Sequence, residues 1–351
     1  MIAAALVHRT ESWRPSRSLV LGGVVGLMGL ASLVALGSGA VAIPPDRVIA
    51  ALLSPATAGG DALVIWSVRL PRVALGLLVG AALALSGALM QGLFRNPLAD
   101  PGLIGVSSGA SLAAAATIVL GERLSGGALP FAALPAGAFV GGLAMTLLLA
   151  AIATSGGRTS VATMLLAGIA LGALAGALMG VLTYLSDDRQ LRDLSFWSLG
   201  SLSGASWTKV LAVLPAILPA LIAMPLLARG LNALSLGEAE AYHLGIRVQR
   251  LKAALVVLVA LAVGAAVAAA GAIGFVGIVV PHLLRLVAGP DHRLILPATA
   301  VLGAALLVAA DALARTVVAP AELPLGIVTA AIGAPFFLWL LLRGRERSVE
   351  P

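Results

Sequence analysis

The chain has no cysteine, two tyrosines, two lysines and only 15 acidic residues among 351. Without cysteine there are no disulfides, thiolate metal sites or cysteine nucleophiles. The lysines are Lys209, after Thr208, and Lys252, after Leu251. Neither follows glycine, so the chain lacks the Gly-Lys-Ser/Thr loop whose amides cradle nucleotide phosphates. Charge itself is scarce: 11% of residues are charged and 60% hydrophobic, with a mean hydropathy of +1.07. That composition excludes a water-soluble globular domain. The net charge of +7 then calls for a membrane explanation rather than a nucleic-acid one.

What is present is a succession of apolar runs, each near the roughly 20 residues that cross a bilayer. They fall at 19–41, 73–94, 103–120, 134–154, 161–184, 210–227, 294–310 and 325–342. The run 253–284 is too long for one upright helix and carries a break at Gly271-Ala-Ile-Gly274, so it reads as a hairpin of two helices. The expectation is an all-α polytopic bundle of ten transmembrane helices, one domain over 1–351. Cytoplasmic tails are expected at 1–18, with His8, Arg9, Arg14 and Arg17, and at 343–351, and a cytoplasmic insertion at 229–252. A cleaved signal peptide is not expected, because no small-residue cleavage site follows a short apolar core. With the N-terminus inside, Arg and Lys concentrate in the inside segments. Arg69, Arg72, Arg123 and Arg315 fall outside, in the company of Glu122 and Glu322.

Ion-coupled transporters place carboxylates or histidines at mid-membrane. Here the nearest examples are Asp311 and His282, the latter expected to cap or hydrogen-bond a helix end rather than ligate a metal. With neither an ATPase loop nor an evident ion relay, energy is expected from a partner. The insertion RGLNALSLGEAEAYHLGIRVQRLK suits two short helices, the second running from Glu238 to Leu244 and stopped by Gly245. In FRNPLADPG, Pro97 and Pro101 break the helix, and the turn between them is expected to carry few backbone hydrogen bonds.

Seven strings in order then mark a resemblance over 43–343: RLPR, SGALMQGLFRNPLADPGLIGVSSGA, FWSLGSLSGASW, LGEAEAYHLGI, GAIGFVGIVVPHLLRLVAGPDHR, ADALAR and ELPLGIVTAAIGAPFFLWLL. They resemble the FecCD family of ATP-binding-cassette permeases, membrane subunits of importers for iron siderophores, haem and cobalamin. The resemblance implies a type II importer permease fold in the bacterial inner membrane. It implies a homodimer served by two ATPase subunits and a periplasmic binding protein, with Mg-ATP held in the ATPase, no cofactor or metal in this chain, and no nucleic-acid partner. By the same resemblance Asn96 and Leu98 gate the cytoplasmic end of the path, with Thr159 and Ser160 as a second closure. Leu236, Gly237, Glu238, Ala241, Leu244 and Gly245 form the ATPase coupling helix. Arg69, Arg72 and Arg315 receive acidic residues of the binding protein. Haem is the cargo implied by RTVVAPAELPLGIVTAAIGAPFFLWLLLR and LRDLSFWSLGSLSGASW, with ferric siderophore or cobalamin as the alternatives within the family. An ion-coupled secondary transporter is the alternative outside it.

Overall fold

The computed structural model describes residues 15–347 except 40, 55–58, 126–129 and 131. Residues 1–14 of the N-terminal tail, with His8, Arg9 and Arg14, and 348–351 of the C-terminal one lie outside the described residues, as do the side chains of Glu122 and Arg123.

Helices make up most of the described residues. In order they are α1 (Arg17–Gly37), α2 (Pro45–Leu53), α3 (Gly59–Val64), α4 (Leu70–Phe94), α5 (Val106–Ser125), α6 (Ala133–Ala153) and α7 (Val161–Tyr184). After these come α8 (Asp188–Leu199), α9 (Trp207–Leu234), α10 (Glu238–His243), α11 (Val248–Ala270), α12 (Val276–Ala288), α13 (His292–Thr316) and α14 (Leu325–Arg347). A π-helical stretch, Ile65–Arg69, fuses α3 and α4 into one helix of 36 residues. A short antiparallel hairpin of β1 (Thr154–Ser155) and β2 (Arg158–Thr159) turns α6 into α7.

Among the described residues seven helices are long and apolar enough to cross a membrane, and three shorter apolar ones, Val106–Gly121, Val276–Ala288 and Leu325–Trp339, fill the remaining expected positions. Seven of the ten expected spans thus meet that length and apolarity among the described residues, and α5 and α14, with 20 and 23 residues as whole helices, are long enough to cross as well. The expected break at Gly271–Gly274 is there, with Gly271 at φ 72° and Phe275 at φ 68°, but it leaves α12 too short to span. The 13 residues of α12 rise only about 20 Å at 1.5 Å each, against a hydrocarbon core of about 30 Å.

Two helices between spans were not foreseen. One, α8, starts from a capping box: Asp187 Oδ1 accepts from the Gln190 amide at 2.8 Å, and Gln190 Oε1 accepts from the Asp187 amide at 3.2 Å. The other, α2, begins with proline at its first position.

The Gly59–Phe94 helix is the axis of the bundle, and α4 packs against α9, α11, α12 and α13. Lipid supplies no hydrophobic drive for helix association, so close backbone approach and dispersion must hold these contacts. Glycine makes the approach possible. A Cβ on Gly80 would lie 2.3 Å from the Gly303 carbonyl oxygen, and one on Gly87 would lie 1.9 Å from that of Gly277.

Candidate functional site

The turn after α4 is better fastened than its prolines suggested. Arg95 adopts the left-handed conformation that closes a helix C-terminus, at φ 50° and ψ 36°. The Asn96 amide reaches back to the Gln91 carbonyl at 3.1 Å, the Leu98 amide donates to Asn96 Oδ1 at 2.9 Å, and the Ala99 amide donates to the Asn96 carbonyl at 3.1 Å. Asp100 then caps the 3₁₀ turn Pro101–Ile104 through the Gly102 amide at 2.7 Å. The expectation of few hydrogen bonds is thus corrected: an asparagine side chain supplies what the prolines remove. Asn96 and Leu98 are both exposed. Asn96 lines a cavity of about 610 Å³ with Asn232, Ser235, Arg285 and His292.

The far side of that cavity is a fixed polar cluster. Asn232 Nδ2 donates to Asp291 Oδ1 at 2.7 Å, leaving its Oδ1 to accept from the His292 amide and from His292 Nδ1. That assigns the proton to Nδ1 and leaves Nε2 bare. Burial pushes the Asp291 carboxyl up, but the Arg293 amide, the Asn232 amide and the charges of Arg17 and Arg293 outweigh it and hold the group below its ordinary value.

The insertion at 229–252 folds close to expectation. The end of α9 carries through Leu234, and α10 runs Glu238–His243 with Leu244 as its cap and Gly245 at φ 81°. The six residues assigned to coupling do not share one face, however. Ala241 is fully buried and Gly237 is buried, whereas Leu236, Tyr242 and Leu244 stand 65%, 72% and 62% exposed. Those three are the exposed large apolar side chains of the segment, and Tyr242 went unnoticed in the sequence because apolar patterning does not separate outer from inner positions in so short a helix. Glu238 faces inward to Lys252, whose Nζ also donates to the Thr159 carbonyl. Through Lys252 the structure thereby links Thr159, of the proposed second closure, to Glu238 at the head of α10.

Arg69, Arg72 and Arg315 come together around a cavity of about 300 Å³ with Glu322, but they are not the exposed group expected of a docking site. Arg69 donates to the carbonyls of Leu36, at 2.5 Å, and Val41. Arg315 donates to those of Ser38, at 3.0 Å, and Ala35, at 3.2 Å, and pairs with Asp311 at 3.0 Å. The last carbonyls of a helix lack partners within it and carry partial negative charge, so two guanidiniums close the C-terminus of α1. Arg72 nearest the rim is held between Asp311 at 3.0 Å and Glu322 at 2.9 Å. Asp311, buried between two arginines, is a fixed counter-ion. Nor does His282 cap a helix end: it lies inside α12 edge-on to Phe336, and neither ring nitrogen has a partner among the described residues.

A family model, the FecCD transport family, matches residues 27–343. The hemin transport system permease protein HmuU of Yersinia pestis is 50% identical over 287 residues, covering 81% of this chain and 84% of that protein. The cobalamin import permease BtuC of Halobacterium salinarum is 46% identical over 287 residues, 82% of this chain and 74% of that one. The vitamin B12 import permease BtuC of Klebsiella pneumoniae is 44% identical over 326 residues, 93% and 94%. A solved metal-chelate type ABC transporter in an inward-facing conformation superposes with a TM-score of 0.81 at 34% identity, over 92% of this chain and 99% of that one.

The bundle of apolar helices, the family match over 27–343 and the superposition on an ABC transporter chain together define the type II permease of an ATP-binding-cassette importer, a multi-pass protein of the bacterial inner membrane. The chain belongs to the FecCD transport family.

Proposed function

We propose that this permease imports haem, delivered by a periplasmic binding protein and driven by ATP hydrolysis in a separate ATPase chain. The observation that carries the choice of cargo is the 50% identity to a hemin permease, against 46% and 44% for the two cobalamin permeases. Haem is cargo in this reading, and the chain itself holds no cofactor or metal.

The path runs between two copies of the chain. In support, α7 packs on α5 and α6 along one side and leaves the other open within one copy: 11% of its most apolar stretch is buried, and Cβ atoms on Gly172, Gly176 and Gly180 would meet nothing within 4 Å. Small residues every fourth position allow a second helix to approach closely. Asn96 and Leu98 close the cytoplasmic end, with Thr159 and Ser160 as the second closure. The ATPase grips α10 through Leu236, Tyr242 and Leu244, while Gly237, Glu238, Ala241 and Gly245 shape and seat that helix. Acidic residues of the binding protein meet the outer rim at Arg72, with Arg69 and Arg315 behind it.

The test is uptake into vesicles carrying the permease, its co-purifying ATPase and the binding protein, with haem, a ferric siderophore and cobalamin compared side by side. ATP-dependent accumulation of haem is the expected result. Accumulation of cobalamin or the siderophore in its place overturns the cargo, and accumulation without the ATPase overturns the mechanism.

A further inference from the structure

Among the described residues Lys252 is the largest side chain that is fully buried, 2% exposed at the start of α11. A buried ammonium must be paired and has three donors to satisfy. Two go to Glu238, with Oε1 and Oε2 each at 2.8 Å, and one to the Thr159 carbonyl at 2.9 Å. Glu238 opens α10, and Thr159 ends the β1–β2 hairpin. Among the described residues Lys252 is the one side chain bonded to both.

Thr159 is held on every side. Its amide donates to Gln249 Oε1 at 2.9 Å, its carbonyl accepts from Lys252, and its hydroxyl meets that of Thr154 at 2.9 Å. The next residue, Ser160, caps α7 by accepting from the Thr163 amide at 3.2 Å. A continuous polar chain thus runs from the inner face of α10, through one ammonium, to the start of the least buried span. It is short and fully satisfied, so a displacement of α10 is passed to Thr159 unless the Glu238 and Lys252 side chains re-orient and give up a bond.

We propose that Lys252 is a positioning residue for transport: it carries displacement of α10 to Thr159 and Ser160, and so sets the second closure according to the state of the ATPase. This rests on the reading of α10 as the ATPase contact.

The chain has no cysteine, so a single exposed thiol reports cleanly. The experiment places Ser160→Cys, or Asn96→Cys as the control turn, in the permease–ATPase complex and measures modification by a polar maleimide with and without a non-hydrolysable ATP analogue. In the otherwise unsubstituted chain both thiols should change reactivity with nucleotide. Lys252→Met keeps length but cannot donate. It should shrink the nucleotide response at residue 160 by a factor of about three to ten while the response at residue 96 persists, and Lys252→Arg should restore it in part. An unchanged response at residue 160 in Lys252→Met overturns the relay alone. No response at either thiol in the unsubstituted background overturns the coupling reading and the relay with it. If Lys252→Met fails to assemble, Glu238→Gln decides: it is partly exposed, leaves Lys252 an amide oxygen, and should still weaken the response. A full response there overturns the proposal.

Discussion

Two helices of nearly the same composition behave oppositely. The Gly59–Phe94 helix and α7 have hydropathies of 2.2 and 2.3, both rich in glycine and alanine, yet 83% of the first is buried in its most apolar stretch and 11% of the second. In α4, Gly80 and Gly87 lie against the backbones of Gly303 and Gly277; in α7, Gly172, Gly176 and Gly180 lie against nothing. A soluble protein would betray the difference, because its outward face would be polar. In lipid the side that meets oil and the side that meets another helix are equally apolar, so glycine marks a close approach without saying to whom.

The largest effect expected is at that contrast. A side chain at Gly87 would start 1.9 Å from a carbonyl oxygen in another helix backbone, which cannot swing aside like the end of a side chain. Gly87→Leu should cost more than about 3 kcal/mol, beyond ordinary overpacking. Gly176→Leu should leave the isolated protomer within about 0.5 kcal/mol of wild type and instead weaken association of two copies. Thermal unfolding in detergent, read with mass determination by light scattering, separates the two. Equal destabilisation by both substitutions would break the comparison.

The packed seam between α4 and α13 ends in charge, and this sharpens the same contrast. Asp311 is 3% exposed and neutralises Arg72 on α4 and Arg315 on its own helix. Asp311→Asn keeps the volume and removes the charge. Arg72 retains Glu322 and Arg315 retains the carbonyls of α1, so the loss should fall near the low end of that for a broken buried pair, about 2–3 kcal/mol. A melting temperature equal to wild type would show that the arginines are held by the helix end alone.

The spans, the hairpin break at Gly271–Gly274 and the turn at Gly245 were legible because each depends on local signals: run length, a glycine pair, a C-cap. The capping helices α2 and α8 were hidden, being short and weakly apolar. Burial of the arginines was illegible for a deeper reason. Arg69 and Arg315 satisfy carbonyls of α1, 33 and 280 residues away in sequence at Leu36 and Ala35. No pattern within a helix announces a partner at that separation. Asn96 was legible as part of a turn, but its side-chain bond to the Leu98 amide was visible only in three dimensions.

The smallest expected effect lies at the rim of the packed seam, where Glu322 receives both Arg72 terminal nitrogens at 2.9 Å. Those bonds lower the pKa of the carboxyl; partial burial opposes them, and the charges of Arg72 and Arg315 add to them. A carboxyl held lower in the folded state than in the unfolded one stabilises the fold above its unfolded pKa, about 4.3 for Glu. That contribution fades as pH falls through the lower folded value. Glu322 is 38% exposed, so water and salt screen the pair and the effect is modest. Melting temperature followed from about pH 6 to pH 3 should therefore drop less in Glu322→Gln than in wild type, because the substitution has already removed the charge that acid would remove. Gly176→Leu, on the open face of α7, should follow the wild-type profile. If Glu322→Gln loses as much on acidification as wild type does, the seam ends at Asp311, and Glu322 is a surface charge beside it.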